Sequence, residues 1–374
     1  MALPTDMALV WGDNASGQLG DGTTTNRHTP VDLLLSAGAQ VTAVSAGADH
    51  SLALASDGRV LAWGGNSDGQ LGDGTTSGGS TPVEVDLPAG IRGRAVSAGG
   101  LHSLALASDG RVLAWGGNSD GQLGDGTTSG GTAPVEVDLP AGIRGMAVSA
   151  GGLHSLALTS DGRVLAWGDN SSGQLGDGTR AGRSTPVAVL LPAGARVTAV
   201  SAGIDHSLAL TSDGRVLAWG NSGFGQLGDG TTASSSTPVA VDLPADTRVT
   251  AVSAGGLHSL ALTSDGRVLA WGDNASGQLG DSMTTEHLAP VAVHLPAGIQ
   301  VTAVSAGGFH ALALTSDGRV LAWGDNASGQ LGDGTSTNRT TPVPVVRLLT
   351  DTRVTAIAAG LFHSVAQAVA LSST

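Results

Sequence analysis

Trp11, Trp63, Trp115, Trp167, Trp219, Trp271 and Trp323 stand 52 residues apart, and the residues around each repeat with it. A fixed period of this length, met seven times, confines a chain to architectures in which each unit buries its apolar surface against its neighbours, a solenoid or a propeller. It also lifts the usual ceiling on a single core of about 250 to 300 residues. Residues 1–374 are therefore read as one domain.

One period contains four short segments in which apolar residues alternate with small or polar ones: VTAVSAG from Val197, HSLALTS from His206, VLAWG from Val216 and TPVAVDL from Thr237. Alternation at a period of two predicts strands. SDGR places Asp-Gly between two of them, a hairpin signal, while LPAG and GQLGDGT supply Pro and Gly punctuation. Helix-period patterns and helix caps are missing. Four antiparallel strands per period make a propeller blade, and seven blades lie within the usual range of about four to eight.

The chain begins midway through a repeat, at ALVWGDNASGQLGDGTTT, and finishes midway through another, at VTAIAAGLFHSVAQAVA. An open solenoid would need polar capping repeats and would leave strand edges exposed to other chains. The expected fold is all-β: a closed seven-bladed propeller whose last blade begins with strands in 353–370 and is completed by strands in 8–35. In it Ala8 to Trp11 pairs beside His363 to Val369.

Seventeen basic residues, all arginine, stand against 31 acidic ones, a formal net charge of -14. Such a surface repels phosphate backbones, so a nucleic-acid partner is not expected. No apolar run approaches the roughly 20 residues of a membrane span, and MALPTDMALVWG lacks the basic and apolar regions of a signal peptide. The chain reads as a soluble monomer without a membrane partner, its compartment unknown; a signal peptide removed beforehand would leave no trace. Without cysteine it has neither disulfides nor thiolate chemistry. No cofactor is expected.

AGIDHSLALTSDGRVLAWGNSGFGQLGDGT, from Ala202 to Thr231, resembles the repeat of the regulator of chromosome condensation family, and the resemblance covers essentially the whole chain. It implies a seven-bladed propeller sealed by both termini, in a style closer to bacterial members. Family members serve as a Ran exchange factor on chromatin, a plant ultraviolet-B photoreceptor, parts of ubiquitin ligases and a secreted β-lactamase inhibitor, so fold alone does not set function. This chain lacks the basic tail, the extra tryptophans and the inserted hairpin that three of those roles use.

What appears in every copy is attributed to the scaffold. The seven Trp are expected to pack blade against blade. His50, His102, His154, His206, His258, His310 and His363 are expected to satisfy backbone groups at the starts of their strands. A Ser-His-Asp triad is excluded because adjacent strand residues such as His206 and Ser207 point to opposite faces. DNASGQLGDGT has Asp and Asn in a Gly-rich loop but lacks the ligand spacing of an EF-hand, so no metal is expected. MTTEHLAPVAVH, with Met283, Glu286, His287 and His294, is taken as a surface-loop change.

Function is sought where the copies differ. Antiparallel strands send the Ala-Gly-x-x-His turns and the long loops to one face, and SDGR and LPAG to the other. SDGR is identical in six copies, whereas the turns read Ala48-Asp49, Gly100-Leu101, Gly152-Leu153, Ile204-Asp205, Gly256-Leu257, Gly308-Phe309 and Leu361-Phe362. The three phenylalanines, Phe224, Phe309 and Phe362, map to this variable face. With Leu101, Leu153, Leu257, Asp49 and Asp205 they form the candidate site of a non-enzymatic module for an unidentified protein partner. The near-identity of the second and third copies leaves a recently amplified or engineered scaffold as an alternative. An exchange factor or small-molecule enzyme working at the channel mouth is a third reading.

Overall fold

A computed structural model describes residues 6–36, 40–346, 348 and 352–370. They form seven four-stranded antiparallel sheets. Blades 1 to 6 span 41–84, 93–136, 145–188, 197–240, 249–292 and 301–344, and blade 7 joins 352–370 to 6–32. Sheet order in blade 7 is 27–32, 6–12, 363–370, 352–359, so the ring is closed by both ends of the chain. Ala8 stands opposite Gln367 and Trp11 opposite Ser364, as the sequence predicts.

Burial is graded across each blade. In blade 4 the second strand, His206–Thr211, and the third, Val216–Gly220, are buried at every residue, because neighbouring blades cover both faces. The inner strand, Val197–Ala202, borders the central channel and is half-buried, and the outer strand, Ser235–Ala240, has no buried residue and exposes Thr237 and Ala240 to solvent. Each apolar cluster spans a seam: one joins Leu260, Val268 and Leu279 of blade 5 to Val301, Leu321 and Trp323 of blade 6. All seven Trp are fully buried in such seams.

The outer strand differs from its sequence expectation, starting at Ser235 and ending at Ala240. Gly220 pairs with Ser235 and Ala218 with Val239, so the partner strand advances two residues while the outer strand advances four. Pro238 lies in this irregularity on an edge strand, where its missing N–H breaks no ladder.

Candidate interaction face

The repeated polar residues knit the seams together. In the seam between blades 2 and 3, Trp167 Nε1 donates to the main-chain oxygen of Gln122 at 2.8 Å, and Ser155 Oγ donates to the same oxygen at 2.9 Å. His102 Nε2 lies 2.8 Å from that Ser155 Oγ. Since the serine proton goes to the carbonyl, the imidazole carries its proton on Nε2 and donates. Gly124 belongs to the same loop, at φ +71°, and a Cβ there would fall 2.7 Å from Trp167 Nε1.

This corrects the expected role of the histidines. They bond a serine hydroxyl on the next blade rather than the backbone at their own strand start: His50 to Ser103, His154 to Ser207, His206 to Ser259, His310 to Ser364 and His363 to Ser51. The seam between blades 5 and 6 lacks this bond, because Ala311 replaces the serine and leaves both nitrogens of His258 unpartnered. Burial pushes the imidazoles down, to about 4 at His50, His154 and His258 and to about 3 at His102, His206, His310 and His363. A second proton would go to Nδ1, which has no hydrogen-bond partner. Neutral and buried, and in six of the seven cases committed to a serine whose own proton is used, these rings do not form a nucleophilic triad. The nearby aspartates serve the SDGR turns instead, as in the pair of Asp161 Oδ2 with Arg163 Nε at 2.6 Å.

At the channel mouth the seven turns close a second ring, made of main-chain groups. Ala48 N donates to Gly99 O, Gly100 to Gly151, Gly152 to Gly203, Ile204 to Gly255, Gly256 to Gly307, Gly308 to Gly360 and Leu361 to Gly47, at 2.9–3.3 Å. Inside it lies a concavity of about 290 Å³ walled by Ala and Gly of the turns, with Leu101, Leu153, Ile204 and Leu361 as its larger apolar residues.

Leu101 and Leu153 line the concavity, and Leu257 is half-buried on the equivalent turn of blade 5. Phe309 and Phe362, on blades 6 and 7, stack with centroids 5.9 Å apart and an interplanar angle of 21°. Phe224 sits apart from them, exposed on the long loop of blade 4. Ile204 and Leu361 were absent from the sequence-derived site, although each is an apolar residue at a turn position that is glycine in four copies.

Asp49 and Asp205 occupy the turn positions at which five copies carry Leu or Phe. Among the described residues neither carboxylate has a hydrogen bond or a cation. Desolvation, with a second carboxylate nearby (Asp13 and Asp169 respectively), holds both above the ordinary aspartate value.

The long loops satisfy most of their polar groups internally, although the buried Gln122 Nε2 has no partner among the described residues. Asn170 Nδ2 donates to Asp177 Oδ1 at 3.2 Å and to the main-chain oxygens of Thr179 and Ala181, while its Oδ1 accepts from Leu175 N. Asp177 is paired with Arg183. In blade 5 His287 takes the place of that arginine, 2.8 Å from Asp281. His294 Nδ1 lies 2.9 Å from the hydroxyl of Ser282, which has φ +71° where other copies have glycine. Among the described residues no three His, Asp or Glu side chains are grouped to hold a metal ion.

Comparison with known proteins agrees with this architecture. A family model described as an RCC1-like domain matches residues 131–370, and models of the regulator of chromosome condensation (RCC1) repeat match 7–54, 57–106, 41–70 and 94–122. The ultraviolet-B receptor UVR8 of Arabidopsis thaliana is 36% identical over 350 residues, covering 93% of this chain and 80% of the receptor. The E3 ubiquitin-protein ligase HERC2 of Homo sapiens is 35% identical over 362 residues, 95% of this chain and 7% of the ligase. The crystal structure of human WBSCR16 superposes with a TM-score of 0.87 at 27% identity, covering 99% of this chain and all of that one.

Proposed function

Because the chain belongs to the regulator of chromosome condensation repeat family, whose propellers are interaction and regulatory modules, we propose that it is a non-enzymatic protein-binding module whose partner docks on the turn and long-loop face. The observation that carries this reading is the contrast between faces. SDGR is unchanged in six copies, while the mouth positions run through Asp, Leu and Phe around an apolar concavity. Interfaces concentrate their energy in a few desolvated aromatic and apolar anchors within a polar rim, and the rim supplies two such groups, the Phe309–Phe362 stack on one arc and Leu101 with Leu153 on the other.

The test is capture of partners from the native proteome with the wild type, with Leu101→Arg/Leu153→Arg, with Phe309→Ala/Phe362→Ala and with Phe224→Ala. A partner lost with the first two variants, whose melting temperatures stay at the wild-type value, supports the reading. A partner retained by both, and lost instead when the Glu84 and Glu136 surface is altered, overturns it. The amplified-scaffold reading rests on the near-identity of the second and third copies, and it predicts that no variant changes what is captured.

A further inference from the structure

The charge of the molecule is unevenly placed. The turns and long loops hold 16 of the 31 acidic residues, but only four of the 17 arginines: Arg27, Arg180, Arg183 and Arg339. Three of those are clasped by aspartates of their own loops, and Arg180 donates to the Ser171 carbonyl. Among the described residues twelve arginines stand on the opposite face, where each SDGR arginine pairs with the aspartate two residues before it. Of the -14 formal charge, -12 therefore belongs to the turn and long-loop face.

Resting on the docking reading above, we propose that the partner presents a cationic segment carrying one apolar side chain, which enters the mouth while flanking basic groups meet Asp49 and Asp205. Around the rim the order is Asp49, Leu101, Leu153, Asp205, Leu257, Phe309, Phe362, so two apolar arcs are separated by two carboxylates. Those carboxylates face Asp13 and Asp169 across neighbouring blades. Asp13 is bonded to the Gln18 amide, and Asp169 to the Gln174 amide and the Ser171 hydroxyl. Among the described residues none of the four has a cation, and a guanidinium or ammonium group arriving there would relieve the repulsion within each pair.

Complementary charge steers a partner to this face from a distance, and desolvation of the apolar anchor fixes it there. A second copy of this chain approaching with the same acidic face is repelled, and an anionic polymer is repelled for the same reason.

The experiment uses the full chain and a fluorescent nine-residue peptide, Gly-Arg-Gly-Arg-Leu-Arg-Gly-Arg-Gly, read by anisotropy at about 20 and about 300 mM salt. Three further peptides replace the Leu by Gly, all Arg by Glu, or all Arg by Gly. The expected result is binding of the Arg-Leu peptide that weakens at high salt, falls about tenfold without the Leu, and falls at least about fivefold in Asp49→Asn/Asp205→Asn. Glu84→Gln/Glu136→Gln, which removes as much charge from the opposite face, should leave it unchanged.

No binding of the Arg-Leu peptide, or equal binding of the Glu peptide, overturns the proposal. Equal binding of the Arg-free Leu peptide assigns the mouth to an apolar ligand and overturns it too. Equal losses in both acidic double variants show attraction without a site and overturn it as well. A native partner lost with Leu101→Arg/Leu153→Arg yet indifferent to salt and to Asp49→Asn/Asp205→Asn refutes the cationic partner alone.

Discussion

Seven neutral imidazoles buried in seven seams make the fold sensitive to mild acid. In the unfolded chain each histidine titrates near its ordinary value of about 6.5, whereas in the folded ring burial holds it at about 3 or about 4. The folded pKa is the depressed one, so this stability is complete well above pH 6.5. It is lost as the pH falls through 6.5 toward the folded values, because only the unfolded state takes up the protons. At pH 5.5 the unfolded state gains about 1.4 kcal/mol per site, about 10 kcal/mol for seven, which is comparable to the whole stability of a typical domain.

The paired aspartates Asp21, Asp177 and Asp333 are held low and act in the same direction, but only below about pH 5. Asp49 and Asp205, held high, oppose it weakly. The window between pH 5 and 6.5 thus belongs to the histidines. Guanidinium titrations followed by emission of the buried tryptophans, at about pH 7.5, 6.5 and 5.5, should show the midpoint collapsing at the lowest pH. A midpoint unchanged across that range would show the rings to be solvated or charged in the native state and would refute the seam description.

Ala311→Ser should give His258 Nε2 its missing acceptor and the Gln278 carbonyl a second donor, raising stability by about 1 kcal/mol; a lower denaturation midpoint would contradict the geometry. Trp167→Ala should cost about 3 to 5 kcal/mol through the cavity it leaves, and an unchanged melting temperature would deny its place in the seam. Gly124→Ala combines an unfavourable φ with a clash against Trp167, for a loss of about 1 to 3 kcal/mol. By contrast Gly90→Ala, at φ +81° with nothing within 4 Å of the added carbon, should cost only the backbone term. Equal losses at the two glycines, read from chemical denaturation, would remove the case for contact with the indole.

The architecture was legible because a strict period, two-residue alternation and half-repeats at both ends each bear on backbone geometry. Sequence also separated the faces, since strand count alone decides where loops emerge. It did not reveal the histidine partners: His50 and Ser103 are 53 residues apart, and their meeting depends on how far one blade is rotated from the next. The same rotation sets Phe309 against Phe362 and leaves Phe224 elsewhere, although all three map to one face. Ile204 and Leu361 were visible as departures from glycine, but only the narrowing of the inner strands at the axis turns them into walls of the concavity.

The main-chain ring at the mouth has a consequence for how such a molecule diversifies. Seven N–H and seven carbonyl groups hold the turns, and they are indifferent to the side chain just before each histidine. Asp, Leu and Phe all occur there without altering the hydrogen bonds beneath. The rim is in effect a set of seven letters on a fixed dial, coupled where neighbours touch as Phe309 and Phe362 do, so recognition can be rewritten blade by blade while the fold that displays it stays the same.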